Sequence, residues 1–453
     1  MIDFIHNLNN IFYTYCLIIV LVGCGIYFTV RTRAVQLRML RESCRIVLRG
    51  GNRDKGGKQV SNFQSFMLSV AGRVGAGNIA GVALALTIGG PGAIFWMWMI
   101  ALLGAATGFV ESTLAQVYRR RSGKELVGGT AYYIEDGLHC RPLAIVAAVM
   151  IAVTFAFGFN SVQSNTLGAA FEAGFGWNHI IVGIIVTLVV GVIIMGGVKS
   201  IANVASMVVP VMSAGYLILA LVVICMNLSS VPEVFGAIFR SAFGADQVAG
   251  GLVGGTIVQG VRRGLFSNEA GLGSIPQAAA AAKAQHPVQQ GLAQGLGVLV
   301  DTLMICSCTA FIILFSKVDL GGSVTGINLA QQALESQLGP VGGIFITIAL
   351  FFFVFSSLIT LYYYGEANLR FLTGSKWALL AFRLASLAVI MLGFCVSLDL
   401  VWEFTDTLMG ICALINLFAI VVLFPKVSEL LKDYEAQRKA GKDVPTHDYG
   451  DNL

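Results

Sequence analysis

Apolar runs about as long as a membrane-crossing helix recur along the whole chain, for example at residues 15–30, 144–157 and 180–195. A helix of roughly 20 apolar residues spans the hydrocarbon core of a bilayer. None of the runs alternates between apolar and polar residues as a membrane-barrel strand does. The pattern therefore predicts an all-α membrane protein. We count eleven spans, at about residues 10–30, 63–88, 92–118, 143–170, 178–196, 201–226, 247–282, 289–316, 341–369, 375–394 and 400–424.

The composition supports this fold class. Of the 453 residues, 56% are hydrophobic and 12% are charged, whereas soluble domains carry about 25% charged residues. The first apolar run leads into Arg31-Thr32-Arg33 without a small-residue cleavage site, so we interpret it as a retained span. The nine cysteines are scattered singly, mostly through apolar runs, and are expected to be reduced packing residues.

The basic residues predict an orientation. Most of the 29 Lys and Arg residues fall in alternate loops, above all in residues 31–58, 119–141 and 426–442. Basic loops face the cytoplasm, which predicts an outside N-terminus and a cytoplasmic C-terminus in the plasma (inner) membrane of a bacterium or archaeon. The net charge of +5 then reflects loops beside the lipid bilayer, and we expect no nucleic-acid partner.

Two predicted spans contain residues that a plain membrane helix avoids. Residues 69–81 hold four glycines and Arg73, and residues 250–273 combine glycines with Arg262, Arg263 and Glu269. An interior glycine costs a helix about 1 kcal/mol, and a charge in the membrane costs more. Backbone leaves the helix at membrane depth only where it lines a cavity or is buried in protein. Both segments are therefore predicted to be discontinuous helices around a binding site, although glycines can also serve close helix packing.

The position of these two segments indicates an internal repeat. Without the first span, they open the two halves of a ten-helix set, which is typical of inverted-repeat transporters. This divides the chain into an N-terminal helix with a basic loop, two five-helix repeats and a cytoplasmic tail, at residues 1–62, 63–226, 227–424 and 425–453. Where a broken helix restarts, free N–H groups suit a substrate carboxylate, and nearby oxygens suit sodium. Residues 75–78, Gly-Ala-Gly-Asn, offer both.

Several stretches resemble one transporter family. They are Gly72-Arg-Val-Gly-Ala-Gly-Asn-Ile-Ala-Gly81, Gly89-Gly-Pro-Gly-Ala-Ile-Phe-Trp-Met-Trp98, Arg263-Gly-Leu-Phe-Ser-Asn-Glu-Ala-Gly-Leu-Gly-Ser274, and Phe355-Ser-Ser with Tyr363-Tyr-Gly-Glu366. Over nearly its whole length the chain is similar to the alanine/glycine:cation (sodium:alanine) symporters of the amino acid–polyamine–cation superfamily. The resemblance implies a leucine-transporter-like fold, with an inverted repeat of five and five helices and one extra N-terminal helix. It also implies import of alanine, glycine or a similar neutral amino acid, coupled to co-transported sodium by alternating access.

The resemblance assigns roles to individual residues. The substrate-binding residues would be Gly75, Ala76, Gly77, Asn78, Gln163, Phe266 and Leu361, with the backbone amides of the first three at the substrate carboxylate. Asn78 would also bind a first sodium ion. A second sodium would lie among the carbonyls of Ala71, Val74 and Phe353 and the hydroxyls of Ser356 and Ser357. Simpler interpretations are a bond from each serine to its own helix, an interhelical hydrogen bond for Gln163, and plain packing for Phe266.

Three features depart from the family pattern. Ala76 and the pair Ser356-Ser357 stand where threonines are common, and Leu361 stands where a tryptophan is common. The last change would reshape the pocket and leaves serine or glutamine as alternative substrates. A proton-coupled carrier of the same fold is a further alternative. A channel would need charged or carbonyl rings, and an enzyme would need a catalytic cluster; the sequence shows neither, so we expect no enzymatic activity.

Charged residues inside membrane spans are functional candidates by default. Arg73, Glu269 and Asp301 are candidates for a gate or for coupling, the first two as a pair across the two breaks and the third near the sodium path. Four others are also compatible with positions near the inner interface: Glu111, Arg262, Arg263 and Glu366.

Overall fold

The computed structural model describes residues 9–48, 60–122, 125–244, 250–316, 318–322, 324–396 and 398–449, without the side chains of 250–253 and 398–400. Part of the predicted basic loop, residues 49–59, and the last four residues of the predicted tail lie outside the described residues. The described chain is almost entirely helical, which confirms the predicted all-α class.

The first half of the chain forms ten helices and one short hairpin. They are α1 (Asn9–Arg31), α2 (Val35–Arg38), α3 (Leu40–Leu48), α4 (Asn62–Arg73), α5 (Gly77–Gly89), α6 (Gly92–Val117), β1 (Arg120–Ser122), β2 (Glu125–Val127), α7 (Thr130–Leu138), α8 (Arg141–Phe175), α9 (His179–Ile194) and α10 (Gly197–Met226). The two strands pair antiparallel, with Arg120 opposite Val127.

The second half contains eight longer helices after the single turn Leu228–Ser230. They are α11 (Val231–Ala242), α12 (Gly250–Asn268), α13 (Ile275–Ala281), α14 (Pro287–Ser316), α15 (Gly326–Leu338), α16 (Pro340–Leu372), α17 (Lys376–Gly393) and α18 (Leu398–Lys439).

Eight of these helices are long and apolar enough to cross a membrane, or nine if the bent pair of α4 and α5 is one span. The fold is therefore a multi-span helical bundle. The eleven predicted spans all fall on helices, but α9 is short, and α12 with α13 is not among the eight. The predicted number of eleven accordingly stays a prediction.

The first break lies where the sequence predicts it. α4 starts with a reciprocal cap in which Ser61 Oγ accepts from Gln64 N at 3.1 Å, and it ends where Val74 turns extended at ψ 100°. α5 restarts with a π-helical turn, Gly77–Gly81, and its axis is bent by 51° from that of α4. Such wide turns are common at functional sites.

The second break is shorter than predicted. α12 runs unbroken through Asn268, and the chain unwinds only at residues 269–274, where Gly271 and Gly273 have φ values of +86° and +82°. Earlier glycines in the segment serve packing: a Cβ on Gly260 would lie 2.6 Å from the Ala93 carbonyl oxygen, and one on Gly264 would lie 2.6 Å from Ile100 Cγ2. For those positions the packing alternative is correct.

Both breaks lie in the centre of the bundle. The π-helical turn of α5 packs against α12, α14 and α15, while α4 packs against α10 and α16. α1 covers α6 and α18 from outside. The buried core therefore surrounds two stretches of non-helical backbone, where polar groups require partners other than their own helix.

One end of the bundle collects basic side chains, and we name it the basic end, defined by Arg119, Arg120 and Arg370. Here Val60, just before α4, forms a bridge with Ala282, just after α13. Arg119 Nη1 donates to the Ala282 carbonyl oxygen at 2.6 Å. The start of α4, which leads into the first break, and the end of α13, which follows the second break, thus meet at this end.

Candidate functional site

The first break exposes backbone amides that do not bond to helix carbonyls. Gly75 N donates to Asn78 Oδ1 at 2.8 Å, and Ala76 N donates to Gln163 Oε1 at 2.8 Å. All four residues are buried. A Cβ on Gly75 would lie 2.6 Å from the Gln163 side-chain amide, so only glycine allows this approach. Two adjacent N–H groups thus each donate to a side-chain oxygen, and paired N–H donors of this kind also bind the two oxygens of a carboxylate.

An aromatic wall made of Phe159, Phe266 and Trp402 covers this break. Phe159 and Phe266 stack with centroids 4.4 Å apart and planes 5° apart, and Trp402 lies 4.5 Å from Phe266. A Cβ on Gly77 would lie 2.8 Å from Phe266 Cδ1. Phe266, predicted as a substrate-binding residue, therefore lies against the break. Phe159 and Trp402 were not predicted.

Asn78 also connects the break to an acidic side chain. Its Nδ2 donates to Asp301 Oδ1 at 2.7 Å. Asp301 Oδ2 accepts from Ser267 Oγ at 2.8 Å and from Thr302 Oγ1 at 3.0 Å. Asp301 is fully buried in a π-helical turn of α14, Val300–Cys306, and it forms no ion pair with another described residue. Oxygen atoms are the ligands that hard cations prefer. The Asn78 oxygen accepts from Gly75 N, so it would have to turn toward Asp301 to complete a donor set with this carboxylate.

A second group of oxygens joins α4 to α16. Ser357 Oγ donates to the Gly72 carbonyl oxygen at 2.8 Å, across the two helices. Ser356 Oγ donates to the Phe353 carbonyl oxygen at 3.0 Å, within its own helix. Ala71 precedes Gly72 in the last turn of α4, and Val74 is the first residue after this helix. Carbonyls at a helix end lack helical partners. The structure thus joins Ser357 to the last turn of α4 through Gly72, which the sequence did not indicate. The grouping of the Ala71 and Val74 carbonyls with these hydroxyls stays a prediction.

Leu361 lies one helical turn after Ser357 on α16 and is fully buried. Residues four apart share a helix face, and Ser357 faces α4. Leu361 is therefore placed on the side of α16 that faces the first broken helix.

Two side chains hold the second break. Gly271 N donates to Glu111 Oε1 at 3.1 Å, and Asn416 Nδ2 donates to Glu111 Oε2 at 2.7 Å. The same Asn416 amide donates to the Gly271 carbonyl oxygen at 2.9 Å. The sequence indicated Glu111 only as a charge within a span. In the structure its carboxylate binds the unwound backbone at Gly271. Asn416 was not predicted.

The predicted pair of Arg73 and Glu269 does not form a direct ion pair within the described chain. Arg73 Nη1 reaches the Gln294 carbonyl oxygen at 3.4 Å. Glu269 Oε2 accepts from Ser274 Oγ at 2.5 Å. The reason is local: the turn after α12 directs the carboxylate toward its own loop.

The two arginines of α12 face a carboxylate of α18. Arg263 Nη2 pairs with Asp406 Oδ2 at 2.6 Å, and Arg262 Nη1 lies 3.8 Å from the same oxygen. Arg263 also stacks on Trp402 at 4.4 Å. α13, which follows the second break, runs to the basic end. α12, which precedes that break, therefore lies on the opposite side of it. The position of both arginines relative to the inner interface stays a prediction. Glu366, in contrast, pairs with Arg370 at 2.6 Å near the basic end.

The chain matches known transporters over nearly its full length. The model of the sodium:alanine symporter family matches residues 1–448. The probable sodium/glutamine symporter GlnT of Bacillus subtilis is 48% identical over 96% of this chain and 91% of its own length. The amino-acid carrier protein AlsT of the same organism is 46% identical over 98% of this chain and 95% of its own.

Two further proteins are similar at lower sequence identity. The sodium/alanine symporter AgcS of Methanococcus maripaludis is 36% identical over 97% of this chain and 98% of its own. A solved Na⁺-coupled sialic acid symporter in an outward-open state shares 14% identity, with a TM-score of 0.46, over 92% of this chain and 82% of that one. The sequence motifs predict the family, and the full-length match confirms it: the chain belongs to the sodium:alanine symporter family.

Proposed function

We propose that this protein is a secondary active symporter that imports a small neutral amino acid together with sodium by alternating access. The observation that carries the proposal is one short stretch at the first break, residues 75–78. Its amides point at an acceptor oxygen, and its Asn78 contacts the buried carboxylate of Asp301. Binding groups for an anion and for a cation are therefore adjacent.

The substrate carboxylate is proposed to bind at the amides of Gly75, Ala76 and Gly77. Gln163 Oε1 already occupies an acceptor position there, and a carboxylate oxygen would take the same bond. Phe266 and Leu361 would then limit the length of the substrate side chain. Serine or glutamine is the alternative to alanine or glycine, because leucine at position 361 is smaller than the tryptophan common there.

A first sodium ion is proposed to bind at Asp301, next to the substrate carboxylate. The substrate carboxylate would take the Gly75 amide from Asn78 Oδ1, and the Asn78 amide would turn so that this oxygen, in place of Nδ2, faces the ion. A second would use the oxygens of Ala71, Val74, Phe353, Ser356 and Ser357, with Gly72 beside them. In a buried site of low dielectric, the substrate carboxylate and the Asp301 carboxylate would repel each other strongly. A sodium ion between them removes that repulsion, which gives a physical reason for coupled binding.

The finer architecture is part of the proposal. We infer eleven spans, with an N-terminal helix and two inverted five-helix repeats at the boundaries given above. The N-terminus would be outside and the C-terminus cytoplasmic, since the basic end carries the loops that face the cytoplasm in membrane proteins. The aromatic wall would then close the outer side of the substrate site.

The decisive experiment is uptake of radiolabelled alanine into proteoliposomes of the purified protein. We expect accumulation when sodium is higher outside, and none when choline replaces it at the same ionic strength. Competition by unlabelled glycine, serine, glutamine and leucine then ranks the substrates. Accumulation without sodium, driven by a proton gradient alone, would favour the proton-coupled alternative and contradict the sodium assignment.

A further inference from the structure

Glu269 has an unusual backbone for its residue type. It is fully buried and adopts φ +55°, in the left-handed region. Side chains with a Cβ rarely adopt this conformation, and where they do the surrounding structure imposes it, often at functional sites. A glycine would fill this turn without strain, as Gly271 and Gly273 do nearby. The turn itself therefore gives no reason for a glutamate here.

The surroundings of the Glu269 carboxyl group are poor for a negative charge. Its N–H still donates to the Leu265 carbonyl oxygen at 2.9 Å, so the residue caps the C-terminal end of α12, which carries partial negative charge. Oε2 accepts one hydrogen bond, from Ser274, and Oε1 has no hydrogen-bond partner among the described residues. A buried carboxylate with so little compensation is costly.

The charges that face Glu269 do not neutralise it. The groups that interact electrostatically with it lie on α4, α6, α14 and α16 and comprise one cation, two further carboxyl groups and one phenol: Arg73, Glu111, Asp301 and Tyr364. Glu269 pairs directly with none of them in the described chain. With all three carboxyl groups ionised, one guanidinium faces three negative charges, and one sodium at Asp301 would still leave the group negative.

We propose that Glu269 is a proton-binding site of the transport cycle, so that a proton enters with sodium and the amino acid. This rests on the proposed symport function. A proton needs only the free Oε1, whereas sodium needs several oxygens around it. The proton would bind the Glu269 carboxylate from the outer solution and leave to the inner one. Arg73, whose Nε and Nη2 have no partner among the described residues, would receive the ionised carboxylate after release.

The test uses wild-type protein in proteoliposomes with sodium equal on both sides and the voltage held at zero. An inside-alkaline pH gradient should drive alanine accumulation several-fold above equilibrium. Alanine added with a sodium gradient should also acidify the lumen, read with a trapped pH-sensitive dye. Absence of both signals, while the sodium gradient still drives uptake, would overturn this inference alone. Absence of sodium-driven uptake itself would overturn the proposed function.

The Glu269→Gln variant assigns the proton to this residue. The amide imitates the protonated carboxyl and can still accept from Ser274, so sodium-driven uptake should remain measurable while the response to the pH gradient is lost. Retention of the wild-type response to pH in this variant would overturn the assignment. If the variant does not fold, Glu269→Asp, which keeps a titratable carboxyl group on a shorter side chain, should retain the response to the pH gradient with a shifted pH dependence, and an unchanged pH dependence would contradict the proposal.

Discussion

The side-chain amide of Asn78 donates to the buried carboxylate of Asp301 at 2.7 Å. This bond joins the first unwound segment to the π-helical turn of α14, two parts of the chain that are 223 residues apart. Because the other Asn78 atom, Oδ1, accepts from the Gly75 amide, one side chain connects the proposed substrate amides to the proposed ion ligand. Substitutions of the residues around Asn78 therefore test the proposed substrate and sodium sites.

Replacing Asp301 with asparagine should weaken sodium binding. The change keeps the side-chain shape and removes the charge, and hydrogen bonds to charged groups contribute about 1.5–3 kcal/mol. We expect the sodium concentration for half-maximal uptake to rise by about tenfold or more, since a tenfold change corresponds to about 1.4 kcal/mol. Asp319→Asn, in the loop after α14, is the matched control. An unchanged sodium requirement in Asp301→Asn would remove Asp301 from the site.

The two neighbouring serines of α16 should differ in their effects. Ser357 bonds across to the Gly72 carbonyl oxygen, whereas Ser356 bonds within its own helix. A hydrogen bond contributes about 1 kcal/mol, so Ser357→Ala should raise the sodium requirement about fivefold and Ser356→Ala by less. Sodium titration of uptake measures both. Equal effects, or a larger effect at Ser356, would contradict the proposed geometry.

Gly75 should not tolerate a methyl group. The added Cβ would lie 2.6 Å from the Gln163 amide, and overpacking of this kind costs about 1–3 kcal/mol. Gly75→Ala should lose substrate binding, measured as alanine-dependent thermal stabilisation in detergent. Gly215→Ala is the control, because a Cβ there has no atom within 4 Å. Full alanine stabilisation of Gly75→Ala would show that Gln163 can move freely away.

Acid should loosen the C-terminal tail at the basic end. His286 Nδ1 accepts from Val288 N at 3.2 Å, and His447 N donates to the Gln285 carbonyl oxygen at 2.8 Å. Burial lowers the pKa of His286 and also that of His447 from the ordinary value, which is about 6.5. The neutral rings therefore stabilise the docked tail above that value, and this contribution is lost as the pH falls through the lower folded pKa.

Hydrogen exchange of residues 440–449 at pH 7.5 and pH 5.5 measures this effect. We expect faster exchange at the lower pH in wild type. His286→Asn keeps a helix-capping oxygen but cannot titrate, and it should show a smaller pH dependence. The same pH response in this variant would assign the effect to another group.

The sequence predicts this site unevenly, for physical reasons. The first break was predictable because glycines at 72, 75, 77 and 81 contradict a plain helix. In the second segment the glycines predicted a longer break than the structure has, because Gly260 and Gly264 allow the close packing of a neighbouring helix. The left-handed turn at Glu269 leaves no signal, because its residue type does not favour it.

Partners across the bundle were the hardest to predict. Spacing places Ser356 and Ser357 near one helix face, but only the packing of α16 on α4 decides which one crosses. Asp406 could have been found by the rule that singled out Arg73, as an acidic residue inside an apolar span. The pairing of Asp406 with Arg263 could not have been predicted, because no local sequence pattern connects α12 with α18.

The N-terminal helix has a role that its separate position in the chain does not suggest. Tyr13 donates its hydroxyl to the Asp406 carbonyl oxygen at 3.0 Å, and the Arg262 guanidinium lies over its ring at 4.5 Å. Asn9 Nδ2 also donates to the Glu403 carbonyl oxygen at 2.9 Å. Fusion partners, affinity tags or deletions placed at this terminus would therefore act on the same two helices that carry the Arg263–Asp406 pair, and an expression strategy that leaves the first helix unaltered is the safer choice for functional work.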